Sequence, residues 1–246
     1  MKNILVISDN EYLITQFKRI IQDEIYGAYS FNFRYSFSNH SFASKFKDSD
    51  WLTSINVKKD CQYILSNYEL VISLHCKQLF PAELVGAVKC INIHPGLNPY
   101  NRGWFPQVFS IINNLPYGAT IHEIDQYLDN GPIIVQKEIK IESYDTSLTL
   151  YNKVLLVEVE LLKDNLYSII NNNYVSKKPF KEGNLNLKKD FYQLCELNLS
   201  HQGSLKEHIN LLRALTHGEH QNGYFYDEYN NKVYIKLNLY KETTTE

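Results

Sequence analysis

Three short runs rich in branched apolar residues, Ile4 to Ile7, Leu70 to Leu74 and Val88 to Ile93, constrain the fold most. Each is apolar at nearly consecutive positions, as a strand is when both of its faces are covered, and that is the habit of parallel sheets held between helix layers. The first run ends in Ser8-Asp9-Asn10 and passes into Tyr12, Leu13, Phe17, Ile20 and Ile21 at helical spacing, which reads as strand, turn and helix. Residues 31–37 alternate apolar and polar as a half-buried strand does, and the polar stretch 38–50 reads as a loop. A helix over about 57–66 leads into the second run, and a short helix opened by Pro81 precedes the third. The alternation predicts an α/β fold, a doubly wound, mostly parallel sheet whose ligand crevice lies beyond the carboxyl ends of the strands.

Beyond Arg102 the pattern predicts a helix to about Asn113, then strands over 118–124 and 132–141 flanking the turn Asp129-Asn130-Gly131. A long helix over 146–170 carries Leu150, Val154, Val157, Leu161 and Ile169 along one face, and Asn171-Asn172-Asn173 stops it. The stretch 177–189, rich in Lys and Asn, reads as a surface linker. It divides a catalytic domain, 1–176, from a small C-terminal extension, 177–246, with a helix near 204–215 and a β-hairpin turning at Asn230-Asn231. Tyr224, Tyr226, Val233, Ile235, Leu237 and Leu239 alternate along the hairpin, an apolar face too large for a free two-stranded ribbon. A homodimer formed through this hairpin is the expected way to cover it.

Charge and composition narrow the function. Lys and Arg total 25 against 27 for Asp and Glu, so no general affinity for nucleic acid or anionic membrane is expected. The first apolar run is too short for a signal peptide and no stretch reaches the ~18 residues of a membrane helix, which reads as a cytoplasmic protein. Four cysteines without a C-x-x-C pair read as reduced, buried thiols. Ser8-Asp9-Asn10-Glu11 stands where a dinucleotide fingerprint would place its glycines, which argues against a nicotinamide dehydrogenase.

The informative segment is Cys90-Ile91-Asn92-Ile93-His94-Pro95-Gly96 with its continuation to Gly103. Asn92 and His94 are two apart at a strand end, so their side chains leave one face and converge on the crevice. A neutral imidazole accepts a proton and a carboxamide donates to a developing oxyanion, the parts that acyl transfer to an amine needs. Asp129 is the carboxylate placed to orient the histidine, to stay ionised and to raise its pKa. His94, His122 and Asp129 lack the spacing of a zinc site, and no metal is expected.

Together, I-N-I-H-P-G-L-N-P-Y-N-R-G, then G-A-T-I-H, then L-D-N-G-P-I-I closely resemble the formyltransferases that use 10-formyltetrahydrofolate. The resemblance implies a Rossmann-like domain with Asn92, His94 and Asp129 as catalytic residues. It places folate near His75, Cys76, Gln78 and Leu79 and along Ile121, His122, Ile124 and Asp125. The wording N-P-Y-N-R-G-W-F-P-Q, with R-A-L-T-H-G-E-H-Q-N-G-Y-F from Arg213 to Phe225, is most similar to the nucleotide-linked sugar N-formyltransferases of the dTDP-4-amino-4,6-dideoxyglucose type. Their products serve bacterial surface polysaccharide such as O-antigen. Asn10, Lys77, Pro95, Gly96, Arg102, Tyr151, Asn152, Lys153 and Tyr224 are then the candidate nucleotide-sugar contacts. Lys77 and Lys153 would meet the diphosphate, Tyr224 would stack on the base, and Arg102 would touch phosphate or fix its loop. A 3-amino sugar, an amino-arabinose or a purine precursor as acceptor is the alternative, as is a non-catalytic nucleotide-sugar binding module.

Overall fold

The computed structural model describes residues 1–242. Its main sheet contains β1 (Lys2–Ser8), β2 (Tyr29–Ser36), β3 (Leu52–Ile55), β4 (Leu70–Leu74) and β5 (Lys89–His94), all parallel. After a two-residue strand, β6 (Arg102–Gly103), the strands β7 (Tyr117–Glu123) and β8 (Ile133–Ile139) complete it antiparallel, in the order β3-β2-β1-β4-β5-β7-β8. The expected mostly parallel α/β sheet is thus what forms.

The apolar runs explain why β1 and β4 sit at its centre. Ile4, Leu5, Val6 and Ile7 are all completely buried, because alternate residues feed two separate cores. Ile4 and Val6 meet Leu13, Ile14 and Phe17 of α1 (Glu11–Ile20). Leu5 and Ile7 meet Ile64 of α3 (Cys61–Asn67), and with it Leu84 of α4 (Ala82–Ala87). Each such side chain removed from water contributes about 1.5–3 kcal/mol, so a central strand covered on both faces anchors the sheet. Asn10 starts α1 where the chain leaves β1, its Oδ1 accepting from the Leu13 amide at 2.9 Å.

Several stretches differ from the sequence expectation. The polar run 38–50 is not an open loop: it holds the short helix α2 (His40–Lys45), capped by Asn39, and β3 follows directly. Only Phe42 of that helix is buried, too little to leave a periodic signal. Helix α5 (Pro106–Asn113) and the 24-residue α6 (Ser147–Ile170) form as expected, yet on α6 Val157 is only half buried while Glu158 is completely buried.

The stretch 177–189 lies on the surface but does not run free. Lys177 exchanges backbone hydrogen bonds with Ile133 at 2.7 and 2.9 Å, and β9 (Leu185–Asn186) pairs with β6. The Arg102 and Trp104 amides donate to the carbonyls of Asn184 and Asn186 at 3.1 and 2.9 Å, so the stretch straps down the loop that follows β5. Beyond it come α7 (Lys188–Cys195), unforeseen from the sequence, then α8 (Leu205–Leu215) and the hairpin β10 (Tyr224–Tyr226) with β11 (Lys232–Tyr234). No helix among the described residues is long and apolar enough to cross a membrane.

Candidate active site

The C-terminal ends of β1, β4 and β5 open into a cleft of about 440 Å³, lined by Asp9, His75 to Leu79, Asn92, His94, Gly103 to Gln107, Asp129 and Tyr151 among others. Asp9, completing the turn after β1, holds the neighbouring loops together. It accepts from the Ser36 and Lys77 amides at 3.1 and 2.8 Å, from Asn39 Nδ2 at 2.8 Å and from the Ser36 hydroxyl. Three strand ends are thereby fixed to one carboxylate; Cys76 between them, unlike the other three cysteines, is only half-buried, and desolvation pushes its thiol up to about 12.

The antiparallel pairing of β5 with β7 decides how Asn92, His94 and His122 are set against one another. Its register sets Asn92 opposite His122 and His94 opposite Thr120, so Asn92 and His122 share a face. Asn92 Nδ2 lies 3.0 Å from Asp129 Oδ1 and 3.2 Å from His122 Nε2. His122 Nδ1 donates to the Glu123 carbonyl at 2.7 Å, which leaves Nε2 as an acceptor. Both N–H groups of Asn92 are therefore engaged, and its Oδ1 accepts from the Ser73 hydroxyl at 2.8 Å. Asp129, at φ +47°, also accepts the Gly103 amide at 3.1 Å. Gly103 itself has φ +89°, and a Cβ there would fall 2.4 Å from the Asn186 carbonyl of the strap.

His94 faces Asp129 through Nδ1 at 3.5 Å, and its side chain is only 4% exposed. Its Nε2 atom is buried without a hydrogen-bond partner. A Cβ on Gly96 would stand 2.4 Å from that atom, so the chain turns beneath the imidazole only because residue 96 has no side chain. Burial disfavours the imidazolium more than Asp129 favours it, and the pKa of His94 falls to about 4. The sequence expectation that Asp129 raises it is corrected here: the carboxylate acts in that direction but desolvation outweighs it. Burial also works against ionised Asp129, yet facing His94 and accepting the Gly103 amide more than offset this and hold its carboxyl below the usual range.

Of the expected folate contacts, His75, Cys76, Gln78 and Leu79 line the cleft. Gln78 also pins its own loop, accepting from the Val57 amide at 3.0 Å and donating to the Ile55 carbonyl at 3.1 Å. Ile121 is completely enclosed and offers a ligand no side-chain surface. His122 lies behind Asn92, the Ile124 amide is tied to the Cys90 carbonyl, and Asp125 accepts from the Tyr127 amide; none of the three lines the cleft.

Of the expected nucleotide-sugar contacts, Lys77, Pro95 and Tyr151 line the cleft, and Asn10 adjoins it by donating to the Tyr151 hydroxyl at 2.8 Å. Gly96 serves the imidazole as described. Arg102 is buried and fixes its loop, bonding Asn130 Oδ1 and, at 3.2 Å, the Gly183 carbonyl. Lys153 is committed to buried Asp145 at 2.7 Å, Asn152 is exposed, and Tyr224 packs in the C-terminal region with its hydroxyl on Glu196. These three do not line the cleft. Ser73, Asp9 and Glu158 went unrecognised as site residues, because each acts through a partner that only the sheet order brings near.

Residues 38–166 match the Formyl transferase family, and residues 190–241 match the N-formyltransferase dimerization C-terminal domain. The chain is 50% identical over 183 residues, 74% of its length and 78% of the relative's, to a dTDP-4-amino-4,6-dideoxyglucose formyltransferase of Mycobacterium tuberculosis. A sugar N-formyltransferase from a Shewanella species superposes with TM-score 0.95 at 47% identity, covering 99% of this chain and 100% of the other. A 4-N formyltransferase from Francisella tularensis does so with TM-score 0.93 at 45% identity, covering 98% and 99%.

Proposed function

This chain belongs to the formyl transferase family, and from that premise we propose that it moves a formyl group from 10-formyltetrahydrofolate to the 4-amine of dTDP-4-amino-4,6-dideoxyglucose. The observation that carries the reading is His94: a buried residue at the edge of a ligand-sized cleft, facing Asp129 through Nδ1, with Nε2 enclosed and without a hydrogen-bond partner. An unsatisfied buried nitrogen is costly in a resting protein and makes sense where a reacting group completes it. The polar loop His75 to Gln78 and the apolar Leu79, Trp104, Phe105 and Leu128 suit a flat ring system with polar edges.

The bound co-substrate supplies an electrophilic formyl carbon. Asp129 holds the proton of His94 on Nδ1, so Nε2 carries the lone pair that takes the proton of the attacking amine. The same carboxylate steadies the imidazolium until it returns the proton to the folate nitrogen, which leaves as tetrahydrofolate when its bond to the formyl carbon breaks. Asn92 turns an N–H toward the formyl oxygen by giving up its bond to Asp129 or His122, and Ser73 holds the other end of the amide in place.

Purified protein supplied with 10-formyltetrahydrofolate should formylate dTDP-4-amino-4,6-dideoxyglucose with a higher kcat/KM than a dTDP-3-amino sugar, a uridine-linked amino-arabinose or a purine precursor. Failure with the first, or preference for another, overturns the reading. The product is taken to enter bacterial surface polysaccharide, O-antigen included, after synthesis in the cytoplasm.

A homodimer through the C-terminal region belongs to the same reading. It is supported by the match of residues 190–241 to a dimerization domain and by Tyr226, Val233 and Tyr234 of the hairpin, which are 42%, 37% and 43% exposed. Light scattering should give twice the mass of the chain, and a form cut after Thr216 should be monomeric. A monomeric full chain at micromolar concentration sinks the dimer.

A further inference from the structure

Glu158 is a charged residue that the chemistry above does not use. It sits midway along α6, completely buried on the stripe that also buries Val154, Leu161 and Leu162. Both carboxylate oxygens face a single group, His75 Nε2, at 2.8 and 3.0 Å. A leucine would fill this core position at less expense, so the carboxylate is kept for something other than stability. His75 is itself unusual, with φ +57° in the left-handed region that non-glycine residues rarely enter.

The chain of contacts continues into the cleft. Because Nε2 faces a carboxylate, that nitrogen is the donor, and Nδ1 is left to meet the Tyr151 hydroxyl at 3.3 Å. The same hydroxyl accepts from Asn10 Nδ2 at 2.8 Å, while Asn10 Oδ1 caps α1. The His217 ring lies 5.7 Å from the Tyr151 ring. With its proton given to His75 and one lone pair to Asn10, the hydroxyl is thus fixed between the N-terminus of α1 and the second turn of α6, beside the loop that carries Lys77, with a lone pair left to accept from a sugar hydroxyl or amine.

We propose that Glu158 is a positioning residue of the nucleotide-sugar subsite, acting through His75 to aim the Tyr151 hydroxyl at the bound ligand. The proposal rests on the nucleotide-sugar reading above. It assigns Glu158 an effect on binding of one substrate and none on the chemistry, a pattern that a merely structural residue would not produce.

The test is a double-mutant cycle on Glu158→Gln and Tyr151→Phe, with His75→Asn as a second entry point, since asparagine tolerates the left-handed backbone. Kd is read by calorimetry with dTDP and with the dTDP-linked amino sugar, and KM and kcat are read for both substrates. Glu158→Gln should raise KM and Kd for the nucleotide sugar about ten-fold, with kcat and the folate KM within about two-fold of wild type. His75→Asn should raise the nucleotide-sugar Kd in the same way and, because His75 itself lines the cleft beside Gln78 and Leu79, raise the folate KM as well, and the Glu158→Gln/Tyr151→Phe double variant should bind no worse than the weaker single. Additive losses, an unchanged nucleotide-sugar Kd, or an equal loss on the folate side in Glu158→Gln overturns the proposal. Wild type that binds dTDP but turns over no amino sugar removes the functional reading while the Kd cycle still decides this one. Wild type that does not bind dTDP removes both.

Discussion

His94 Nδ1 stands 3.5 Å from Asp129 Oδ2, and the two side chains are 4% and 11% exposed. At that separation and burial the carboxylate orients the ring more than it charges it, which is why the imidazole remains a neutral base. Asp129 also accepts from Asn92 and from the Gly103 amide, so one carboxylate positions His94, Asn92 and the loop after β5 together.

Replacing His94 with Asn should lower kcat by about 10²–10⁴-fold, the usual contribution of a general base, with nucleotide-sugar Kd within a few-fold of wild type. Stopped-flow or steady-state formylation together with calorimetry checks both parts. Asp129→Asn should lower kcat as well, and retention of the full rate would reduce Asp129 to a turn residue.

Protonation of His94 gives a pH prediction. Its folded pKa, about 4, lies below the unfolded value of 6.5, so between these values the unfolded chain binds the extra proton and folding stability falls with falling pH. The loss begins near pH 6.5, is complete below about pH 4 and amounts to on the order of 3 kcal/mol. Nuclear magnetic resonance should show a neutral His94 ring down to about pH 5, and Asp129→Asn should lower the ring pKa further by removing the charge that favours the cation. A His94 that titrates near 6.5 would contradict the burial argument.

Much of this was legible in the sequence, for identifiable reasons. Ile4 to Ile7 and Leu70 to Leu74 declared central strands because no residue in them has to meet water. Asn92 and His94 declared a shared face through their spacing, and the motif supplied Asp129. Glu158 stayed hidden because its partner His75 is 83 residues away, and a lone glutamate in an apolar helix reads as solvated. Lys153 misled for a related reason. Position near a helix start suggested an anion, but the cation was already taken by Asp145, eight residues before it. The strap over 177–189 was invisible because it is held by backbone pairing and by Asn184 and Asn186 on Asn101, more than eighty residues away, neither of which composition reports.

Gly96→Ala should cost activity without unfolding the protein. The added Cβ would stand 2.4 Å from His94 Nε2 and 3.3 Å from Pro106 Cβ, so the imidazole must swing away from Asp129 to admit it. A displacement of about 1 Å at a reacting atom can cost about 10²-fold in rate. The expected result is a kcat near that of His94→Asn with a melting temperature close to wild type, measured by formylation assay and calorimetry. Full activity in Gly96→Ala would mean the ring has room that the structure does not provide.

The two lysines make opposite predictions. Lys77 is exposed on the cleft with its backbone held by Asp9, whereas Lys153 Nζ lies 2.7 Å from the almost completely buried carboxylate of Asp145. If Lys77 meets the diphosphate, Lys77→Ala loses a charge-assisted hydrogen bond of about 1.5–3 kcal/mol, a roughly ten- to hundred-fold rise in the Kd of dTDP, and leaves the melting temperature unchanged. Lys153→Ala should leave the Kd alone. It should instead destabilise the fold by about 1–3 kcal/mol, because the buried Asp145 carboxylate loses its direct ion pair and keeps only the Thr149 hydroxyl and the Glu142 amide as hydrogen-bond donors, with Arg213 on its backbone carbonyl the remaining cation nearby. Calorimetry and thermal melts on both variants decide the matter: a Kd that rises in Lys153→Ala at unchanged stability would return that lysine to the ligand and require the Asp145 pair to open when the nucleotide binds.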